Sequence, residues 1–334
     1  MNTPAHNGPE KMGTGSERPH ENRGKTASGE VPVPIFSGPA IELLGLTKRF
    51  GRTLAVDNLT LEIPRGSTFG LLGPNGAGKS TTIKMLMGML SATAGSARVL
   101  GIDVRADPTQ VKQRVGYVPE THHIYRWMRI RQVLGFCKSC YPSWNDKTCR
   151  EMLDLFGLDL EKKVKHLSKG MLVKLALLVA VSHEPEVLLL DEPLSGLDPI
   201  AREEFLDGVL RTICDRGQTV LISSHMLDDV RRLADTVGIL HEGRLLLCGN
   251  LDALLTSTKR ICATLRDGCR PTQAPEGTIW QRVQGREWTV TVRDFSPEKV
   301  QKVQAIDGVE HVRVVDLGLE ELFKDFIRGQ RVGP

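Results

Sequence analysis

Residues 73–80 read Gly-Pro-Asn-Gly-Ala-Gly-Lys-Ser and match the pattern Gly-x-x-x-x-Gly-Lys-[Ser/Thr] at every fixed position. The flanks fit the same pattern. Thr68-Phe69-Gly70-Leu71-Leu72 is an apolar run that reads as a buried strand, and Thr82–Met87 reads as a helix. Glycines at these positions let backbone N–H groups wrap a phosphate, and the following helix adds the positive end of its dipole. The candidate phosphate-binding set is therefore Gly73, Pro74, Asn75, Gly76, Ala77, Gly78, Lys79, Ser80 and Thr81. In that set Lys79 would reach the β- and γ-phosphates, and the Ser80 hydroxyl would ligate Mg²⁺. A Gly-rich strand-to-helix turn that binds nothing is the bland alternative, but it does not call for both Lys79 and Ser80 in register. The expected ligand is a nucleoside triphosphate.

The bulk properties narrow the partners. A net charge of +4 with no Lys/Arg block gives no electrostatic support to a nucleic-acid partner, and none is expected. The longest uninterrupted apolar run, Leu175–Val181, is far shorter than the ~18 residues of a membrane span. The N-terminus lacks the basic-then-apolar pattern of a signal peptide. These features predict a soluble, cytoplasmic protein unless another molecule holds it at a membrane. Of the seven cysteines, Cys137 and Cys140 have C-x-x-C spacing, but no second pair follows at a metal-ligand interval. Reduced structural thiols are expected.

Along the chain, residues 1–38 are rich in Gly, Pro, Ser, Asn and charge and read as a disordered tail. Strands are expected at Ile41–Leu44, Leu59–Ile63, Val115–Val118, Val187–Leu190 and Thr219–Ser223, with residues 126–165 mostly helical around a break at Tyr141–Ser143. Continuous aliphatic strands that alternate with helices predict a parallel sheet covered on both faces. Beyond Gly249, Trp288–Val292 and Val309–Val314 alternate as half-buried strands around a helix at Pro297–Gln304. A final helix carries Leu319, Leu322, Phe323, Phe326 and Ile327 as one apolar stripe, either packed against the body or left as a dimerisation face.

Candidate catalytic groups stand at the strand ends. Asp191 and Glu192 close the Val187–Leu190 run, where Asp191 can hold Mg²⁺ and Glu192 can polarise water as a general base. A solvated acidic turn before Pro193 is the weaker alternative after four aliphatic residues. His225 follows the Thr219–Ser224 run and can contact a γ-phosphate, although a lone histidine is often structural.

With these motifs in order and at matching spacing, residues about 40–250 resemble the ATP-binding subunits of ABC transporters. Phe50 in Lys48-Arg49-Phe50-Gly51 matches the family's adenine-stacking aromatic. Glu120 falls at the position of the Q-loop glutamine, Leu167-Ser168-Lys169-Gly170-Met171 matches the signature, Ser195-Gly196-Leu197-Asp198 the D-loop, and Ser223-Ser224-His225 the switch. The resemblance implies an α/β P-loop NTPase cassette, with a mostly parallel sheet covered by helices, an antiparallel β subdomain and a small helical subdomain. It places the cassette at 39–250, with the helical part at about 121–180, and leaves 251–334 as a small α+β appendage. It also implies ATP and Mg²⁺ as ligands, with Ser80, Glu120 and Asp191 around the metal and Glu192, His225 and Lys79 in catalysis. Two subunits, identical or different, would sandwich two ATP molecules, with Ser168, Gly170 and Asp198 serving the partner's nucleotide.

The sequence departs from the family pattern in three places. Glu120 replaces a glutamine, Lys169 a glycine and Met171 a glutamine. The Ser-Lys-Gly-Met form and the Tyr141-Pro142-Ser143-Trp144 segment look like the branch that works with ABC-2-type permeases, mostly exporters. The resemblance implies a peripheral subunit on the cytoplasmic membrane face, bound to integral-membrane permeases. Tyr125, Arg126, Trp127 and Arg129 are either the docking surface or an ordinary solvated face. The rival reading is a soluble ABC-type ATPase that acts on ribosomes or DNA or in regulation. Its ribosomal form usually needs two cassettes and its DNA-repair form a long coiled coil; the chain has one P-loop and no heptad run between Lys79 and Asp191.

Overall fold

In a computed structural model that describes residues 38–330 apart from Thr272, the chain alternates short strands and helices. The expected disordered tail therefore lies almost wholly outside the described residues. The elements run β1 (Ile41–Phe50), β2 (Thr53–Ile63), β3 (Thr68–Leu72), α1 (Lys79–Leu86), β4 (Ala94–Val99), β5 (Ile102–Asp103), α2 (Pro108–Arg114) and β6 (Val115–Val118). They continue with α3 (Ile130–Cys140), α4 (Asp146–Phe156), α5 (Lys169–Ser182), β7 (Val187–Asp191), α6 (Pro199–Arg216), β8 (Thr219–Ser224), α7 (Leu227–Arg231), β9 (Thr236–His241) and β10 (Arg244–Asn250). The last part holds α8 (Leu251–Ser257), β11 (Lys259–Leu265), β12 (Thr278–Gln284), β13 (Glu287–Val292), α9 (Pro297–Gln304), β14 (Val309–Asp316) and α10 (Leu319–Gln330).

Among the described residues these strands form three sheets. The central one has six strands in the order β10-β9-β3-β8-β7-β6, parallel throughout except for the antiparallel β9–β10 pair. Every residue of β3, β7 and β8 is buried, so both faces of the sheet are covered. Side chains alternate across it. Val187 and Leu189 enter one core with α1, α2 and the β1–β2–β4 sheet, while Leu188 and Leu190 enter another with α3–α7. Burying each such side chain contributes about 1.5–3 kcal/mol. This two-sided core holds the carboxyl ends of β3, β7 and β8 side by side.

The second sheet is antiparallel, β2-β1-β4-β5. The third, β12-β13-β11-β14, is also antiparallel and packs Ile261, Trp288, Val290 and Val292 against Val303 of α9. The helix after the loop starts at Lys79 rather than Thr82, because Lys79 and Ser80 already have helical backbone beyond the left-handed Gly78. Within 126–165 the helical expectation holds for α3 and α4 but not for 126–129 or 157–163. Gly157 adopts φ 58° and ends α4 in a left-handed cap. Strands β4, β5, β9, β10, β11 and β12, and helices α2 and α8, have no counterpart in the expected pattern. The α10 stripe is packed inside the chain, with Leu319, Leu322 and Phe326 buried in the same core as α5 and β7. No described helix is long and apolar enough to cross a membrane.

Candidate active site

The loop between β3 and α1 depends on glycine at two places. A Cβ at Gly73 would lie 2.3 Å from the Leu240 carbonyl oxygen. Gly78 has φ 107°, and a Cβ there would lie 2.4 Å from the Ala55 oxygen. Both substitutions would push the loop off β2 and β9. Gly78 is the N-cap of α1 and contributes no side chain to it, so the first turn points its N–H groups outward without a side-chain acceptor. A cavity of about 230 Å³ opens there, lined by Ala55, residues 75–81, Glu120 and Glu192.

Parallel pairing sets the candidate groups at the strand ends opposite one another. β7 and β8 pair Asp191 with Ser223. The Asp191 Oδ1 atom accepts from the Ser80 hydroxyl (2.7 Å) and from the Ser223 hydroxyl (2.9 Å). The Ser223 Oγ atom in turn accepts from the Glu192 backbone N–H at 3.0 Å, so this one buried hydroxyl holds both carboxylate residues in place. Its role was missed in the sequence, where the only signal is a hydroxyl residue at the end of an aliphatic run. Burial pushes the Asp191 carboxyl above the usual carboxylate range and the nearby Glu120 charge adds to this, although Ser80, Ser223 and Lys84 pull the other way. A divalent cation on the Ser80 and Asp191 oxygens would offset that burial.

Glu192 is only 7% exposed, which rules out a solvated acidic turn. Its backbone is left-handed at φ 47°, an uncommon position for a non-glycine residue. One carboxylate oxygen faces the Lys79 ammonium at 2.9 Å and the other faces His225 Nδ1 at 2.8 Å. Lys79 also donates to the carbonyls of Gly73 (2.6 Å) and Pro74 (3.1 Å). Lys79, Glu192 and His225 thus form one line at the carboxyl edge of the sheet. An anionic phosphate in the cavity would compete with Glu192 for Lys79 and release one oxygen of Glu192.

On the other side of Asp191 a second cavity, of about 540 Å³, is bounded by Tyr117, Glu120, His122, Val133, Cys137 and Val179, among others. Burial, with the Asp191 and Glu120 charges, pushes the Tyr117 phenol up. Cys137 and Cys140 are free thiols, and burial pushes the Cys137 thiol up to about 11, which keeps it protonated at neutral pH.

Eight of the candidate residues do not line the loop cavity: Gly73, Pro74, Asp191 and His225 stand just behind it through their contacts with Lys79, Ser80 and Glu192, whereas Phe50, Ser168, Gly170 and Asp198 belong to other parts of the chain. Phe50 ends β1, 47% exposed, with Lys48 Nζ 4.9 Å above its ring. Ser168 caps α5 by accepting from the Met171 N–H at 3.2 Å, and Asp198 caps α6 by accepting from the Ala201 N–H at 3.0 Å. A Cβ at Gly170 would lie 2.7 Å from Ala201 Cβ, so this glycine allows α5 to approach α6. Lys169 lies against Gly196. Two helix N-termini therefore sit together, with Ser168 and Asp198 exposed.

Residues 56–195 match the ABC transporter family model. The chain is 34% identical over 287 residues to an uncharacterized ABC transporter ATP-binding protein, YhaQ, of Bacillus subtilis, covering 83% of this chain and 95% of that one. It is 38% identical over 220 residues to a probable multidrug ABC transporter ATP-binding protein, YbhF, of Escherichia coli. That match covers 64% of this chain but spans only 38% of the relative's length. A solved structure of an ATP-binding subunit of an ABC transporter superposes with TM-score 0.59 at 30% identity, over 64% of this chain and 90% of the other. With the loop, the paired carboxylates and a relative matched over nearly its full length, the chain belongs to the family of ABC transporter ATP-binding proteins.

Proposed function

We propose that the chain hydrolyses ATP and couples closure of an ATP-bound dimer to transport through separate integral-membrane permease subunits, most directly as an exporter. The observation that carries this reading is the meeting of two lines at the phosphate loop: Lys79–Glu192–His225, and Ser80–Asp191–Ser223. In it, Lys79 and the loop N–H groups of 76–81 bind the phosphates, and Phe50 stacks on the adenine. Ser80, Asp191 and Glu120 would hold Mg²⁺, which would offset the negative charge of the phosphates. Glu192 takes the proton of the attacking water, while His225 keeps Glu192 aligned and stabilises charge developing on the phosphate.

The exposed pair of helix N-termini supports the dimer. Ser168, Gly170 and Asp198 would complete the nucleotide site of a second ATP-binding subunit, a copy of this chain or a related one. For the permease, the support is an exposed aromatic and basic patch. Tyr125 and Trp127 are 62% and 63% exposed with ring centroids 6.1 Å apart, and they follow the Glu120–Ile124 wall of the larger cavity. Arg126 and Arg129 belong to the same segment. Such a surface, in a chain with no membrane-crossing helix among the described residues, fits a peripheral subunit on the cytoplasmic face. Export follows from the signature form and agrees with the multidrug name of the YbhF relative.

Isolation of the native protein from detergent-solubilised cells tests the transport reading. A polytopic membrane protein should accompany it in fixed ratio. Recovery with ribosomes and without any such protein would establish the soluble, non-transport ATPase instead.

A further inference from the structure

The apolar stripe of α10 does not stay with its own sheet. Leu319, Leu322 and Phe326 are at most 4% exposed, and they join Leu227, Val230, Leu233 and Ala234 in one buried cluster. Leu227 and Val230 belong to α7, whose first residue stands two positions after His225. α7 also lies directly on β3, the strand that leads into the phosphate loop. A Cβ at Gly70 would fall 2.2 Å from Val230 Cγ1, so only a glycine permits that contact.

Between β8 and α7 the chain turns tightly. The Met226 N–H donates to Ser224 Oγ at 2.9 Å, and Arg202 of α6 donates to the Met226 sulfur at 3.4 Å. The His225 side chain is 38% exposed, so packing around the ring restrains it little. Its aim at Glu192 follows the backbone that carries it. α10, in turn, is clamped to the C-terminal sheet. The fully buried Asp325 accepts from Arg260 and from Thr291, each at 2.6 Å, and Arg293 stands over the Phe326 ring at 5.3 Å. A continuous packed path therefore runs from the C-terminal sheet through α10 and α7 to the turn that presents His225.

We propose that α10 is a positioning element for hydrolysis: through α7 it holds His225 within hydrogen-bonding reach of Glu192. This inference rests on the reading of Glu192 and His225 as the hydrolytic pair. A displacement of about 1 Å at His225 is enough to stretch a 2.8 Å contact beyond useful geometry.

The test uses the full chain with Leu322→Ala and, as a gentler change, Phe326→Leu, each alone and combined with His225→Ala. Leu265→Ala, in the C-terminal core away from α10, controls for general destabilisation. The expected result is a kcat lowered about 5- to 50-fold by Leu322→Ala and less by Phe326→Leu, with fluorescent-nucleotide affinity within about twofold of wild type. In the His225→Ala background the same changes cost less than about twofold, because the group they act through is gone. The His225 ring ¹⁵N signals shift in the α10 variants but not in Leu265→Ala.

An equal loss with and without His225, an equal loss in Leu265→Ala, an unmoved His225 signal, or wild-type kcat in both α10 variants would each overturn the proposal. If His225→Ala itself leaves kcat unchanged, the hydrolytic reading fails first and takes the positioning role with it.

Discussion

The two halves of the proposed nucleotide machinery on this chain are built in opposite ways. The half around the loop is closed in on itself. Lys79, Asp191, Glu192 and Ser223 are buried, and contacts of 2.9–3.0 Å link Lys79 to Glu192 and Ser223 to both Asp191 and Glu192. The half at Ser168, Gly170 and Asp198 is open. Its caps satisfy only their own helices, and Ser168 and Asp198 face solvent. A buried ion pair is costly to desolvate and is strongly destabilised when one partner is removed. An exposed helix N-terminus loses little when it waits for an anion. The first arrangement suits a site that must hold its charges in fixed geometry, the second a surface that another molecule completes.

Glu192→Gln tests the closed half with the largest expected effect. Removing the proposed base while keeping its shape should lower kcat by roughly 10²–10⁴-fold. ATP binding should persist, and the ATP-loaded variant should run as a dimer in light scattering. Detection of monomer alone would break the link between the two halves. Ser168→Arg probes the open half. Hydrolysis should be lost while the isolated subunit binds ATP within about twofold of wild type, as titration with a fluorescent nucleotide would report. Weakened binding would instead place Ser168 in its own chain's site.

Two smaller effects sharpen the electrostatics of the closed half. Burial raises the Asp191 carboxyl above the ordinary range, so the folded state binds more protons than the unfolded one between those two values. Stability contributed by this group therefore falls as pH rises through that window, and the loss is complete once Asp191 is ionised. Asp191→Asn keeps an acceptor for Ser80 and Ser223 and removes that charge. In metal-free buffer at neutral pH it should raise Tm by about 2–4 °C, the shift of roughly 1 kcal/mol in a chain of this order, while abolishing the Mg²⁺ response of Tm. An unchanged or lower Tm would mean that Lys84 and the two hydroxyls outweigh burial.

Glu120→Gln should act in the mildest way. Taking one negative charge from the neighbourhood of Asp191 should raise the Mg²⁺ concentration for half-maximal activity by about 2–5-fold, roughly 1 kcal/mol or less, and leave kcat near wild type. A wild-type Mg²⁺ requirement would remove Glu120 from the metal's surroundings.

Most of the candidate site was legible in the sequence because its chemistry sits on contiguous residues at strand ends. The loop, the Asp191-Glu192 pair and His225 each announce themselves by residue type after an aliphatic run. Ser223 did not, because a hydroxyl becomes a clamp for two carboxylates only when β7 and β8 pair in parallel at that register. The omitted strands had physical reasons too. β9 is interrupted by Gly238, where a Cβ would meet the Phe69 ring at 2.8 Å. β12 is an edge strand with no fully buried residue, so its sequence lacks an inward–outward alternation.

The sequence by itself determined the glycine-rich loop, the order of the candidate catalytic groups and the alternation that makes a sheet covered on both faces. These depend on local backbone demands and hydrophobic period, which neighbouring residues encode directly. Only the tertiary structure decided that Lys79 and His225 share Glu192, that Ser168 and Asp198 stay away from their own chain's loop, and that α10 packs on α7. Those contacts join residues tens to hundreds of positions apart, and their geometry follows from how two cores close over one sheet.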